Sequence, residues 1–379
     1  FSKTSIRIND FKNKKKRLMF FLPNFSKGGA SESIFNLSKF LINHGYSIMI
    51  ISLNRNFYKK EFRKIGCDVI EIKSMRTLFS IFKLRRIIKN EIDKNYVKTI
   101  FVSNIHYANV ISIISCFKLD KIKIILTERS SITELNIFDN YLKFLKNKLV
   151  FFLANYLYKF ADLVITNSQF EKKIIKNKFN IKKIKCIYPP SISYIKKTKK
   201  IKNKFNNLCK IIYVGRLSKE KGVITILKAL SELKKYKLVL NIYGDGVEKE
   251  NLQKFINLNN LKKKVFFKGF IEDKNIIFKD ANLFINASWF EGLPNALVQS
   301  INNNVFPICA DSPGGNIEVI KKGKLGLLFK TNDYLDLKKK ILFFLKKDLK
   351  INQLIKINHL NNYTEKNSNK AYLKTLNKL

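Results

Sequence analysis

The segment that decides the fold spans residues 209–244 and reads CKIIYVGRLSKEKGVITILKALSELKKYKLVLNIYG. A short apolar run is followed by a turn that carries Gly215 and Gly222. Apolar residues at helical spacing come next, and a second apolar run ends the segment. This order predicts a strand, a glycine turn, a helix and another strand, which together form one parallel βαβ unit.

The same order of elements occurs near the beginning of the chain. RLMFFLP (17–23) predicts a strand, NFSKGGASES (24–33) a turn, IFNLSKFLINHG (34–45) a helix and YSIMIISL (46–53) the next strand. Further strands are predicted at 67–72, 99–103, 123–126, 162–168, 265–270, 282–288 and 305–310. With 379 residues, the chain is long enough for two such α/β domains in tandem. Pro189 and Pro190, followed by the Lys-rich stretch 195–204, mark the expected hinge between them.

The chain is strongly basic, with 74 Lys and Arg against 28 Asp and Glu and a formal net charge of +46. Such a charge is typical of proteins that bind nucleic acids or anionic membranes. Lysine is enriched along the whole chain, which favours a general bias of composition, with a membrane-surface role as the main alternative. The segment 141–161 is apolar and contains a few lysines. It predicts either a core helix, which we favour, or a helix that lies on a membrane surface.

Cysteine and histidine usage argues against disulfides and metal sites. The five cysteines (67, 116, 186, 209 and 309) show no paired spacing, which favours free thiols in a reducing compartment. The three histidines (44, 106 and 359) are too scattered to suggest a metal site. The uncharged run 99–117 is long enough to span a bilayer, but its polar centre favours a buried strand, a polar loop and a helix. No signal peptide is visible, so we expect a cytoplasmic protein.

Three glycine-containing turns follow predicted strands. In GRLSKEKG (215–222), Arg216 and Lys221 lie between a strand and a helix start, where cations and amide groups favour phosphate. In KGGASES (27–33), two glycines allow a ligand to approach the backbone, although an ordinary turn fits equally well. YGDG (243–246) is weak as a dinucleotide motif and predicts a close turn after a strand.

The stretch EGLPNALVQ (291–299) predicts a ligand that carries both phosphate and hydroxyl groups. Pro294 suits the first turn of a helix, where free amide groups attract an anion. Those amides belong to Asn295, Ala296 and Leu297. Glu291 would repel a phosphate and is better suited to accept hydrogen bonds from hydroxyls, and Gln299 lies two turns further on the same face. A nucleotide sugar carries both kinds of group.

These motifs, together with PGGNIEVI (313–320), resemble those of the large family of retaining glycosyltransferases with the GT-B fold. SNIHYAN (103–109) and TERS (127–130) extend the resemblance to the first half, so it covers nearly the whole chain. It implies an α/β fold with two Rossmann-like, doubly wound domains that face each other across a cleft. The expected domains are an acceptor-side domain at 1–190 and a nucleotide-sugar domain at 191–379, whose final helix packs back on the first.

The resemblance also implies roles for single residues. Arg216 and Lys221 would hold the donor diphosphate and stabilise the leaving nucleotide, while Glu291 would contact hydroxyls of the donor sugar. His106 would lie near the reacting sugar, with a satisfied buried histidine as the alternative. These four residues are the candidate catalytic groups. Further donor contacts are implied for Gly28, Gly29, Gly244, Asn295, Ala296, Leu297 and Gln299, and acceptor contacts for Glu128 and Arg129.

Gln299 departs from the family pattern, which usually has a glutamate that accepts hydrogen bonds from both ribose hydroxyls. A glutamine amide accepts from one hydroxyl and donates to the other. The loss of one charge-assisted bond, about 1 kcal/mol, predicts weaker donor binding but not an inactive enzyme. On the same reasoning, a glutamate at this position should tighten donor binding.

The expected function is transfer of a hexose-type sugar, with retention, from a UDP- or GDP-sugar to a glycan or lipid-linked acceptor. The resemblance implies surface polysaccharide or lipopolysaccharide synthesis without a metal or other cofactor, by an enzyme that is cytoplasmic or peripheral on the inner membrane face. The alternatives are a nucleotide-sugar epimerase or phosphorylase of the same fold, a non-catalytic scaffold, and a basic nucleic-acid- or membrane-binding protein. Few histidines disfavour an epimerase, and no nucleic-acid recognition motif is present.

Overall fold

A computed structural model describes residues 16–25, 28–54, 56–74, 77–94, 96–136, 141–196, 208–271, 273–347, 349 and 351–379. The chain divides into two compact units, Phe1–Ile187 with Asn369–Leu379, and Tyr188–Ser368. The expected boundary after residue 190 lies close to this division, and residues 369–379, part of the final helix that was expected to pack back on the first domain, belong to the first unit. Positions 197–204 of the expected hinge lie outside the described residues.

The described part of the first unit contains a seven-stranded parallel sheet with the order β3-β2-β1-β4-β5-β6-β7. Its strands are β1 (Lys16–Phe21), β2 (Tyr46–Ser52), β3 (Asp68–Glu71), β4 (Thr99–Asn104), β5 (Ile122–Glu128), β6 (Leu163–Thr166) and β7 (Ile184–Cys186). The strand order reverses between β1 and β4, where ligands of doubly wound sheets bind. The sequence predicted six of these strands and missed the short edge strand β7.

Helices cover both faces of this sheet. They are α1 (Gly29–Ile42), α2 (Lys59–Lys64), α3 (Ile81–Ile92), α4 (His106–Cys116), α5 (Tyr141–Leu157) and α6 (Gln169–Phe179). Short 3₁₀ turns lie at Thr77–Ser80, Ile132–Asn136 and Tyr158–Phe160. Helices α3 to α6 pack on the face that carries Phe101 and Leu126. Helices α1 and α2 pack on the opposite face, together with Tyr372 and Leu376 from the end of the chain.

Two expectations for the first unit need correction. Helix α5 is not a core helix, because only Asn147, Val150 and Ala154 are buried along its length. The polar loop expected inside 99–117 shrinks to Ile105 alone, since α4 starts at His106, directly after that residue. Among the described residues, no helix is long and apolar enough to cross a membrane.

The described part of the second unit contains a six-stranded parallel sheet with the order β10-β9-β8-β11-β12-β13. Its strands are β8 (Cys209–Val214), β9 (Leu238–Tyr243), β10 (Val265–Gly269), β11 (Leu283–Asn286), β12 (Phe306–Asp311) and β13 (Leu327–Lys330). The predicted βαβ unit at 209–244 corresponds to β8, a helix and β9. The edge strand β13 was missed, and it too is short.

The helices of the second unit enclose one apolar core. They are α7 (Val223–Ser231), α8 (Lys249–Leu258), α9 (Lys274–Phe278), α10 (Asn295–Asn302), α11 (Gly315–Val319), α12 (Tyr334–Lys346) and α13 (Gln353–Leu360), with 3₁₀ turns at Lys219–Lys221 and Asn361–Tyr363. The last helix, α14 (Glu365–Lys378), begins in this unit and ends in the first. Each polar motif of the second half follows the carboxyl end of a strand, which is where this class of sheet places its ligand site.

Candidate active site

Glycines allow the loops of the second unit to touch one another. Gly244 has a φ of +134°, and a Cβ there would lie 1.9 Å from the carbonyl oxygen of Gly215. Gly314 has a φ of +124°, and a Cβ there would lie 1.6 Å from the carbonyl oxygen of Glu291. Larger residues at either position would push the loops apart. The close contact with the Gly215 backbone is by itself a reason for a glycine at position 244, where the resemblance implied a contact with the donor.

Lys221 and Glu291 form the central ion pair of this site. The Lys221 Nζ lies 2.7 Å from Glu291 Oε1, and the Ser288 hydroxyl donates to the same oxygen at 2.7 Å. The side chains of Lys221 and Glu291 are 17% and 15% exposed. Lys221 follows β8 and Glu291 follows β11, which are neighbours where the strand order reverses. The sheet thus brings together two residues that the sequence singled out separately.

The backbone around Glu291 is fixed on two sides. The Glu291 amide donates to the Pro313 carbonyl at 3.1 Å, and the Gly315 amide donates to the Glu291 carbonyl at 3.2 Å. Two residues earlier, the Trp289 amide donates to the Glu220 carbonyl at 2.8 Å. These bonds fix the backbone that carries Glu291 before any ligand binds, which is what a positioned site requires.

Arg216 is exposed and weakly paired. Its side chain is 79% exposed, and a terminal nitrogen lies 3.9 Å from Glu220 Oε1. The Arg216 carbonyl accepts a 2.7 Å bond from the Tyr213 hydroxyl, which fixes the loop beneath the side chain. The guanidinium is thus available for a phosphate, with which it can form two parallel hydrogen bonds.

The start of α10 offers two backbone amides. Pro294 is the N-cap, and the Leu297 amide donates to the Pro294 carbonyl at 3.0 Å, so Leu297 is already occupied. The amides of Asn295 and Ala296 belong to the first turn, which has no acceptors within the helix. The Asn295 side chain accepts a 2.7 Å bond from the Ser191 hydroxyl. The expected set of three amide donors is therefore reduced to Asn295 and Ala296.

Gln299 has a partner within the second unit. Its side-chain amide donates to the Ser191 carbonyl at 3.0 Å, and the residue is 9% exposed. Asn302, one turn further along α10, also binds this segment, donating to the Tyr194 carbonyl at 3.0 Å. The amide group that was expected to donate to a ribose hydroxyl thus holds the segment 191–196 on the helix. A carboxylate could not donate this bond.

In the first unit, His106 is buried at the start of α4. Its Nδ1 lies 2.5 Å from Glu128 Oε2, and its Nε2 lies 3.0 Å from the Ser130 hydroxyl. The residue is 1% exposed. Burial, the largest single effect, would lower the pKa of His106, but the charge and hydrogen bond of Glu128, together with the charges of Glu134 and Glu171, raise the pKa above its ordinary value. Ile105, just before it, has a φ of +79°, which is strained for a β-branched residue.

Glu128 is closed to solution, which does not fit the expected contact with an acceptor. It is 1% exposed, and besides His106 its carboxylate accepts bonds from the Asn109 amide at 3.0 Å and from the Tyr158 hydroxyl. A carboxylate with these partners positions His106 instead. Ser130 is half-buried, so its hydroxyl links the buried His106 to solvent. The motif TERS contains this serine, but nothing in the sequence indicated its contact with His106.

Arg129 is a half-buried cation that points away from this cluster. Its Nε donates to Asn104 Oδ1 at 2.7 Å, and its carbonyl accepts from the Asn167 amide at 2.8 Å. Burial lowers the pKa of the guanidinium. Within the described ranges, no carboxylate lies at ion-pair distance from it. Arg129 therefore remains suited to an anionic group, unlike its neighbour Glu128.

Gly28 lies at the start of α1 as its N-cap, and Gly29 is the first helical residue. Among the described residues, and apart from its neighbours in the chain, a Cβ on Gly28 would meet no atom within 4 Å. The protein's own packing therefore does not require a glycine here, and the space in front of the helix start can admit a ligand. This fits the close approach expected at Gly28 and Gly29.

Two doubly wound parallel sheets, each with polar residues at the carboxyl ends of its strands, define the GT-B class of α/β proteins. Residues 27–190 match the model of Glycosyltransferase Family 4, and residues 195–366 match that of Glycosyl transferases group 1. The chain belongs to this family of glycosyltransferases, and the predicted α/β GT-B fold is confirmed.

Curated relatives and solved structures agree with this assignment. An uncharacterized glycosyltransferase of Methanocaldococcus jannaschii is 30% identical over 73% of this chain and 71% of its own length. An alpha-1,4-N-acetyl-D-galactosaminyltransferase of Campylobacter jejuni, named for a PP-undecaprenol-linked substrate, is 26% identical over 86% of this chain and 88% of its own. The structure of Anabaena HepE with UDP and glucose has a TM-score of 0.76 at 18% identity and covers 96% of this chain and 99% of its own.

Proposed function

We propose that this glycosyltransferase moves a hexose-type sugar from a UDP- or GDP-sugar to a glycan or lipid-linked acceptor, with retention of configuration. The observation that carries the proposal is the Lys221–Glu291 pair, which lies at the reversal of the strand order. A cation for phosphate and a carboxylate for hydroxyls, 2.7 Å apart, suit the two halves of a nucleotide sugar. The reaction that we propose needs no metal or other cofactor.

Charge stabilisation is the main chemical task of the second unit. As the bond to the donor sugar breaks, negative charge develops on the leaving nucleotide diphosphate. Lys221 and Arg216 supply positive charge for it, and the amides of Asn295 and Ala296 supply positioned donors. Glu291, held by its backbone bonds, accepts from sugar hydroxyls and fixes the orientation of the sugar.

The acceptor that we propose is lipid-linked or a growing glycan in the synthesis of a surface polysaccharide such as lipopolysaccharide. The Campylobacter relative, named for a PP-undecaprenol-linked substrate, supports this choice. Arg129, a cation without a carboxylate partner among the described residues, suits an anionic group of such an acceptor. We place the enzyme in the cytoplasm, peripheral to the inner face of the membrane.

A thermal-shift panel of nucleotides and nucleotide sugars, at moderate salt to suppress nonspecific binding, tests the donor site. We expect a selective rise in Tm with one nucleotide and one of its sugars, and loss of that rise in Lys221→Ala. Tight DNA binding without any donor-induced shift would overturn the proposal. Retention is then checked by NMR of the anomeric proton in the product.

A further inference from the structure

Helix α5 presents a stripe of large apolar side chains to solvent. Five of them recur every three or four residues and thus share one face of the helix. They are Leu142, Leu145, Leu149, Phe152 and Tyr156, with exposed fractions of 80%, 47%, 57%, 67% and 57%. The opposite face carries the buried residues Asn147, Val150 and Ala154, and the last two belong to an apolar cluster with residues of α4, α6 and the sheet. Scattered exposed apolar residues are ordinary, but a contiguous stripe of this size marks a surface that binds a partner.

Lysines flank this stripe on both sides. Lys146 is one helical turn from Leu142 and Leu149, while Lys148 is one turn from Leu145 and Phe152 on the other side. Both lysines are exposed. The segment 141–161 contains four lysines and no aspartate or glutamate. Lysine stems can extend along an apolar surface while their charges reach anionic groups beside it.

A second apolar patch lies on the same layer of helices. Leu78 and Phe79, in the 3₁₀ turn before α3, and Phe82, in its first turn, are 61%, 66% and 83% exposed. Helices α3 and α5 pack on the same face of the first sheet, and Lys83 and Arg86 lie exposed beside the patch. The outward side of this layer thus combines apolar and basic residues at two places.

We propose that the α5 stripe docks on the surface of an anionic lipid bilayer, with the helix lying in the plane of the interface. An apolar face bordered by lysines is the pattern of interfacial helices, and anionic head groups complement the lysines. A second copy of the chain would bring lysines against lysines, without any acid in 141–161 to pair with them. The proposal deepens the proposed function by naming the surface that meets the membrane.

Co-sedimentation of the full chain with phosphatidylcholine vesicles, with and without phosphatidylglycerol, tests this inference. We expect binding to the anionic vesicles, and at least about tenfold weaker binding for the double variant Leu149→Ser/Phe152→Ser. The matched control is Val247→Ser/Leu258→Ser, which removes two side chains of the second unit that are 86% and 83% exposed. The control should bind like the unchanged protein.

A second pair of variants tests the charges. Replacing Lys146 and Lys148 by Gln should weaken binding to anionic vesicles about fivefold per lysine and leave the weak binding to neutral vesicles unchanged. All variants should keep the same Tm and the same donor-induced thermal shift. Since vesicle binding is measured without donor, failure of the proposed glycosyl transfer and failure of membrane docking are distinguishable.

Three outcomes would overturn the inference. Equal vesicle binding by the α5 variant and the unchanged protein would exclude the stripe as the docking surface. Equal binding to vesicles with and without phosphatidylglycerol would exclude a contribution from charge complementarity. Self-association in analytical ultracentrifugation, lost in the α5 variant, would assign the stripe to a second copy of the chain.

Discussion

The two units each contain a carboxylate in contact with a basic side chain, and the two pairs differ chiefly in burial. The side chains of Lys221 and Glu291 are 17% and 15% exposed, whereas those of His106 and Glu128 are 1% and 0% exposed. Among the described residues, the carboxylate of Glu128 has three buried partners, in His106, Asn109 and Tyr158, whereas that of Glu291 has two, in Lys221 and Ser288. Lys221 and Glu291 can therefore exchange each other for a ligand. His106 and Glu128 cannot do so unless the core opens.

The difference shows that a motif residue can serve the site or the fold, depending on its access to solvent. A partly exposed ion pair contributes little to stability, because water already solvates its charges. A buried pair is costly to break, because removing one partner leaves an uncompensated charge or polar group inside the protein. The same substitution should therefore destabilise the protein much more at Glu128 than at Glu291.

Glu128→Ala should lower the free energy of unfolding by about 3–5 kcal/mol, because His106, Tyr158 and Asn109 lose their common partner. Glu291→Ala should lower it by less than about 1 kcal/mol. Urea unfolding followed by circular dichroism measures both. Equal losses in the two variants would show that burial does not separate the two pairs.

Lys221→Ala and Glu291→Ala should each lower turnover about 10²- to 10³-fold, the typical effect of removing one positioned group that stabilises developing charge or orients the reacting sugar. Release of nucleotide from the donor measures the effect, and an unchanged Tm shows that the fold persists. Lys219→Ala is the matched control, since this exposed lysine lies in the same loop. Turnover at the level of the unchanged protein in both site variants would refute the site assignment.

The first unit should lose stability as the pH rises from about 4.5 to about 7. Burial raises the pKa of Glu171 to about 7, although bonds from Ser131 and the Ile132 amide oppose the shift. In this range the unfolded carboxyl is ionised while the folded one keeps its proton, so unfolding releases a proton and becomes easier at higher pH. The full effect is on the order of 3 kcal/mol.

Glu171→Gln removes this titration and should flatten the pH dependence. Chemical unfolding at a series of pH values between 4 and 8 measures the pH dependence, and the expected limiting slope for one proton is about 1.4 kcal/mol per pH unit. A pH profile that is the same in Glu171→Gln and the unchanged protein would assign the dependence to other groups.

Gln299→Glu should destabilise the second unit by about 1–3 kcal/mol, because a carboxylate would face the Ser191 carbonyl without a proton to donate. This reverses the expectation from the sequence that a glutamate here improves donor binding. Gln253→Glu is the control, an exposed position of α8 where a change below about 0.5 kcal/mol is expected. If Gln299→Glu instead bound the donor more tightly at unchanged stability, the predicted contact between residue 299 and the ribose would be supported.

The sequence predicted both parallel sheets apart from the short edge strands β7 and β13. It singled out Lys221 and Glu291 separately, because each follows a predicted strand, but it did not predict that the two side chains pair. It could not reveal that Glu128 is buried, since TERS has the same letters whether its acid faces a ligand or a histidine. The apolar pattern at 141–161 predicted a helix, but it did not show that most of this helix is left uncovered by the rest of the protein. The partner of Gln299 lies 108 residues away, beyond the reach of local patterns.

The return of the chain to its first unit has a consequence for protein synthesis. Tyr372 and Leu376 complete a core whose other members come from the first half of the chain. During translation, part of the apolar surface of that core stays uncovered until the whole second unit has been made. The N-terminal half therefore emerges first from the ribosome but receives these core residues only after the second unit has been made, so a chain cut just before residue 369 keeps the whole second unit and leaves the first unit incomplete.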